Sequence, residues 1–162
     1  MQLETFFPYR LAVAAEAFSR NLVAVYGRTY GLSREEWRLL FLIEGAGRIS
    51  SLDLARRSTL GKVQISRATR RLEDKKIITC RVPDEDRRLR EYAITETGRA
   101  LFAEVFAQVD GRAHEILAAM TPEDRAALDR GIEALMRAVR ETTPADVLAP
   151  EPRSGPAERD PN

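Results

Sequence analysis

A chain of 162 residues, 44% hydrophobic, suits a single domain that buries about 68 to 70% of its unfolded surface, and none of its apolar runs approaches the roughly 20 residues that span a bilayer. One cysteine, Cys80, excludes an internal disulfide framework, and one histidine, His114, leaves no spacing that reads as a zinc site. The net charge of +1 hides two unequal parts: residues 48–92 carry 13 Lys and Arg against 7 Asp and Glu, a net of +6, while the rest of the chain stands at −5.

A basic module in an acidic frame is the footprint of nucleic-acid binding on one surface, with a chance fluctuation in composition as the alternative. The short apolar stretch at the start has no basic region before it and is interrupted by Arg10, so no signal peptide is expected and the chain reads as cytoplasmic.

The first helix is expected from about Thr5 to Thr29, where Leu11, Ala15, Phe18, Leu22 and Val25 recur at spacings of four and three, and Gly31 stops it. Ser33 and Glu36 form a capping-box pattern for a second helix through Trp37, Leu40, Phe41 and Ile43, ending at Gly45 and Gly47. Ser50 and Asp53 stand in the same register before a short helix containing Leu52, Leu54 and Ala55; a turn follows at Ser58 to Gly61. The next helix has Ile65, Ala68, Thr69 and Leu72 on its inner face. Residues Ile78, Cys80 and Val82, then Arg90, Tyr92 and Ile94, alternate as strands of a hairpin whose tip, Asp84 to Arg88, is five consecutive charges.

Thr95 is the expected N-cap of a long helix carrying Phe102, Val105, Phe106, Val109, Ala113, Ile116 and Met120. Thr121 followed by Pro122 opens a last helix striped by Leu128, Ile132, Leu135 and Val139. Five of the eight prolines lie beyond Thr142, and residues 143–162 are too poor in apolar side chains to offset their ordering entropy, so a disordered tail is expected. The terminal helices carry more apolar surface than so small a module covers, at Phe6, Phe7, Leu11 and Phe18 and again at Leu128, Leu135 and Val139. A second copy of the chain is the expected partner, an intramolecular helical core the alternative.

Helix, tight turn and helix place the second helix for the major groove of DNA. Its outer face offers Lys62, Gln64, Ser66, Arg67, Arg70 and Arg71. Arginine bonds guanine bidentately, glutamine does so with adenine, and short hydroxyls reach bases or phosphates. A solvated loop is the bland account of the charged tip, and only its position directly after this motif argues otherwise. Nothing supports catalysis: there is no nucleophile with a base, and Glu44 to Gly47, "EGAG", matches no phosphate-binding fingerprint. No cofactor or metal is expected.

From about Phe6 to Arg140 the sequence resembles the MarR family of dimeric winged helix-turn-helix regulators. The likeness is carried by Leu72 and Glu73 closing the recognition helix, Asp86 and Arg88 of a D-x-R wing, and Thr95, Glu96 and Gly98 at the start of the long helix. Lys76, where many members have glycine, and Pro83 depart from the pattern. The resemblance implies a mainly α fold with a small β-hairpin wing (α+β): one domain over 1–142, with a DNA-binding lobe at 34–94 and dimerisation helices at 5–32 and 95–142.

The same resemblance implies that Arg87, Arg88 and Arg90 approach DNA, with Arg88 in the minor groove and Asp86 orienting it. The operator would be an inverted repeat, and the protein a homodimeric repressor released by a small effector. A pocket for an aromatic acid or thioester would draw on Tyr9, Arg10, Val13, Trp37, Arg38 and Phe41, although aromatics at helical spacing also simply pack and the arginines also form surface ion pairs. Two alternatives stand beside this: a winged-helix module for protein contacts, and redox sensing through Cys80, against which a mid-strand position argues for a buried thiol. His114 is expected to pack or to lie at the dimer interface.

Overall fold

The computed structural model describes residues 3–83 and 89–143. Six helices and a small antiparallel sheet follow one another as α1 (Phe7–Tyr30), α2 (Arg34–Ala46), β1 (Arg48–Ser50), α3 (Ser51–Ser58), α4 (Lys62–Asp74), β2 (Ile78–Arg81), β3 (Glu91–Ile94), α5 (Glu96–Ala118) and α6 (Pro122–Thr142). The mainly α winged helix-turn-helix architecture expected from the sequence is the one present.

Most helix ends are where the local sequence places them, but α1 begins at Phe7 rather than at Thr5, which closes a short 3-10 turn, Leu3–Thr5. Gly31 closes α1 in the left-handed region at φ 62°, with its N–H on Gly27 O and that of Leu32 on Tyr26 O. At the start of α2 the Ser33 hydroxyl accepts from Glu36 N at 3.2 Å while Glu36 Oε2 accepts from Ser33 N at 2.6 Å, a complete capping box. Gly45 stays helical; Gly47 is the cap.

The expected hairpin is part of a three-stranded sheet, ordered β1-β3-β2. The extra strand is Arg48–Ser50, read from sequence only as the stretch after a helix terminator. Three residues cannot show a period of two; they become a strand because Ile49 pairs with Tyr92, which faces Cys80 on its other side. Ile49, Ile78 and Tyr92 are buried in the common core with Leu39, Leu40 and Ile43 of α2, Leu54 of α3, Leu72 of α4 and Val105 of α5. Each such side chain contributes about 1.5–3 kcal/mol by burial, so the helix-turn-helix is held from within and its outer face is left mostly to polar residues.

The join between α4 and the sheet accounts for two features of the sequence. Lys76 occupies the left-handed region at φ 60°, which glycine adopts without the steric cost a side chain carries; that is why a glycine suits this position. Directly after it, Ile77 O accepts from Thr95 N at 3.0 Å, and the Thr95 hydroxyl lies 2.8 Å from Lys76 O while receiving Gly98 N at 2.9 Å. The α5 backbone comes so close that a Cβ on Gly98 would stand 2.0 Å from Ile77 O. The Thr-Glu-x-Gly pattern is therefore one N-cap and one unavoidable close approach.

Residues from Met120 onward form a separate unit. In it the Thr121 hydroxyl caps α6 by accepting from Asp124 N at 3.1 Å, with Pro122 in the first turn. Leu128, Ile132, Met136 and Val139 of α6 are exposed. Among the described residues no helix is long and apolar enough to cross a membrane. The expected tail, apart from Thr143, lies outside the described residues.

Candidate nucleic-acid interface

The turn between α3 and α4 is built by Thr59, a second non-glycine residue in the left-handed region at φ 57°, and by the buried Ser58 hydroxyl, which accepts from Leu60 N at 3.3 Å. Four residues of α4 face inward as expected: Ile65, Ala68, Thr69 and Leu72. Thr69, the polar member, donates to Ile65 O at 3.0 Å, so its burial costs no unmade hydrogen bond. Lys62, Gln64, Ser66, Arg67, Arg70 and Arg71 are all exposed. Among the described residues Lys62, Arg67 and Arg70 form no ion pair, so their charge is unspent.

Two residues of this set have other engagements. Gln64 Oε1 accepts from Gly61 N at 3.0 Å, closing the N-terminus of α4, so bidentate contact with adenine would require it to leave that cap. Arg71 lies toward α2, where its charge adds the smallest of the effects that hold the Glu35 carboxyl low, after the backbone, the Ser33 hydroxyl and Arg34. One residue was missed. Val63, 62% exposed, stands on the outer face one turn before Arg67; an apolar side chain outside the inner stripe was the available signal, and a thymine methyl is the base feature it suits.

At the base of the wing, Ser51 N donates to Arg90 O at 2.7 Å and Arg90 N to the Ser51 hydroxyl at 3.4 Å, which ties the hairpin to the first turn of α3. The Arg90 side chain is exposed. Asp86, Arg87 and Arg88 lie outside the described residues. Cys80 is half-buried, and burial, followed by the nearby Glu73 carboxylate, pushes its thiol up, the reverse of what a reactive cysteine requires. His114, expected to pack or to lie at a dimer interface, is not packed within the chain: it is exposed, with Nδ1 2.9 Å from Asp110 O and 3.3 Å from Asp110 Oδ2, one turn earlier on α5. Among the described residues no group of three or more His, Cys, Asp or Glu is placed to hold a metal.

A cavity of about 310 Å³ opens behind the helix-turn-helix, lined by Trp37, Arg38, Phe41, Leu42, Arg57, Ser58 and Thr59. Its wall continues into an aromatic array. Trp37 stacks on Tyr26 at 5.5 Å and on Phe102 at 5.4 Å, Phe102 stacks on Phe106 at 5.7 Å, and Phe41 meets Trp37, Phe102 and Phe106 edge-on or tilted. Arg38 reaches across: its Nη1 donates to Thr59 Oγ1 at 3.1 Å and to Ser58 O at 3.4 Å.

Of the expected pocket residues, Trp37, Arg38 and Phe41 thus come together. Tyr9, Arg10 and Val13 do not line this cavity, and all three are exposed. The reason is length: α1 meets Trp37 through Tyr26, and at about 1.5 Å per residue Val13 lies about 20 Å further along the helix. Phe102 and Phe106, read from sequence as a helix stripe, belong to the array instead.

Residues 30–89 match the MarR family model. The fold is that of MarR-type regulators of known structure. BpsR of Bordetella bronchiseptica, whose DNA binding is regulated by 6-hydroxynicotinic acid, shares 16% identity at a TM-score of 0.74, over 84% of this chain and 96% of that one. A mutant of Escherichia coli MarR complexed with operator DNA gives 17% and 0.72, over 83% and 98%. NadR in complex with 4-hydroxyphenylacetate gives 21% and 0.67, over 83% and 95%. No curated protein matches the sequence.

Proposed function

We propose that this chain, whose residues 30–89 match the MarR family model and whose fold is that of MarR-type regulators, is a homodimeric repressor whose hold on an inverted-repeat operator is released by an anionic aromatic ligand. The family is one of transcription factors rather than enzymes. In this reading Arg67, Arg70 and Val63 reach base edges, and Lys62, Ser66 and Arg71 meet phosphates. Arg87, Arg88 and Arg90 serve the wing, with Asp86 orienting Arg88. The exposed apolar side chains of the first turns of α1 and of α6 are the surface a second copy would cover.

One observation carries the ligand response. Arg38 is at once the cation of an aromatic-walled cavity and the side chain that holds the Ser58–Thr59 turn leading into α4. A carboxylate beside the Trp37 ring would compete for the guanidinium, since a charged, bidentate acceptor outweighs a neutral carbonyl and hydroxyl. The turn then loses its brace, and the ligand prefers the conformation that fits DNA poorly, which is what release requires. The named ligands of BpsR and NadR are aromatic acids of this kind.

The test uses full-length protein and a duplex it selects from a randomised library. 4-Hydroxyphenylacetate or 6-hydroxynicotinate should perturb the fluorescence of the single Trp37 and weaken DNA binding by about 5- to 150-fold, the usual scale of such coupling. Arg38→Met removes the same brace, so it should bind DNA weakly without ligand, as wild type does with it, and lose the response. If a panel of aromatic acids and thioesters alters neither signal, the cavity is not an effector site; if no two-fold duplex is selected, the operator reading fails.

A further inference from the structure

Three helix ends meet at one ion pair. Lys75 is the residue that ends α4, and its Nζ donates to Glu36 Oε1 at 2.9 Å and to Gly31 O at 2.9 Å. Gly31 closes α1; Glu36 is the third residue of α2, and its second oxygen takes the Ser33 N–H of the capping box. Glu36 is 1% exposed, whereas the Lys75 side chain is 37% exposed. A carboxylate at that depth is tolerable because both oxygens are bonded and the charge is paired. Such pairs are seldom worth more than an apolar packing of the same volume; what they add is direction.

That direction matters here because, among the described residues, this is the only side-chain hydrogen bond linking the end of α4 to the end of α1. We infer that Glu36 and Lys75 are positioning residues for operator recognition: they set the angle of α4 to α1, and through it the separation of the two recognition helices in the dimer. The inference rests on the dimeric, DNA-binding reading above. Moving a half-site by one base pair displaces it about 3.4 Å along the duplex and about 35° around it. A pinned α4 meets that displacement as a misfit; a freed one follows it.

The experiment takes the duplex selected by the wild-type protein and resynthesises it with the half-site centres moved by one and two base pairs. Binding to each is measured beside a thermal melt. Wild type should lose about 5- to 150-fold on the first displacement, as for a mismatched base pair. Glu36→Gln keeps an acceptor for Ser33 N–H but removes the charge facing Lys75; Lys75→Met removes the cation and keeps its stem. Both should bind displaced duplexes with less than about threefold preference between spacings, and Lys75→Arg should restore the discrimination.

Variants that lose the same factor at every spacing would show the pair to be merely structural and overturn the inference. If Glu36→Gln does not fold, Lys75→Met decides alone, since it leaves the capping box intact. A wild-type protein that selects no two-fold duplex would remove the premise instead, a result distinct from unchanged spacing preference in the variants.

Discussion

Gly98→Ala is a substitution that helix propensity and tertiary packing judge oppositely. In an open helix it should stabilise by about 0.5–1 kcal/mol. Here the new Cβ would stand 2.0 Å from Ile77 O, 2.9 Å from Ile77 C and 2.9 Å from Ile94 Cγ1. Restoring an ordinary contact of about 3.4 Å needs a shift of about 1.4 Å. The atom in the way is backbone already bonded to Thr95 N at 3.0 Å and close to the Thr95 hydroxyl at 3.0 Å.

Weakening two hydrogen bonds at about 0.5–1.5 kcal/mol each, with about 1–3 kcal/mol for overpacking, outweighs the propensity gain and leaves a net loss of about 1–5.5 kcal/mol. For a chain of this size, at about 2–4 °C per kcal/mol, that lowers the melting temperature by about 2–22 °C. Gly111→Ala, on the same helix with nothing within 4 Å of its added Cβ, is the control and should hold or gain stability. Circular-dichroism melts and urea titration at equal protein concentration read both. A Gly98→Ala protein as stable as its Gly111→Ala counterpart would refute the close-approach account of the Thr-Glu-x-Gly pattern.

Glu16 should contribute to acid stability: hydrogen bonds from Arg34, then Arg20, lower its carboxyl from 4.5 to about 2. A depressed acid stabilises fully above its unfolded value and loses that contribution as pH falls toward the folded one, so Glu16→Gln should flatten part of the melting-temperature curve between about pH 4.5 and 2. The effect is small and salt-sensitive because the groups are exposed, and superposable curves for wild type and variant would dismiss it. Cys80→Ser should bind the selected duplex as wild type does, and hydrogen peroxide should change neither, because burial pushes the thiol away from its reactive form. Peroxide release of wild type but not of Cys80→Ser would instead restore the redox reading.

The local part of this structure was legible in the chain because its causes are local. Ser33 with Glu36, Thr95 ahead of Gly98, and Thr121 before Pro122 cap helices through atoms three residues apart, and the inner face of α4 follows from a period of 3.6. What remained hidden depends on partners distant in sequence. Arg48–Ser50 is a strand only because β3 lies beside it, more than 40 residues on. Lys76 needs a left-handed backbone because α5 crowds the next peptide. Gln64 resembles a base reader until Gly61 claims its oxygen, and Tyr9, Arg10 and Val13 share a helix with the cavity's neighbour Tyr26 without reaching the cavity. Glu36 carried a capping signal alone; its second oxygen acquires a role from Lys75, 39 residues away. Sequence spacing sets which side chains share a face, whereas the packing of helices against one another decides which atoms meet across it.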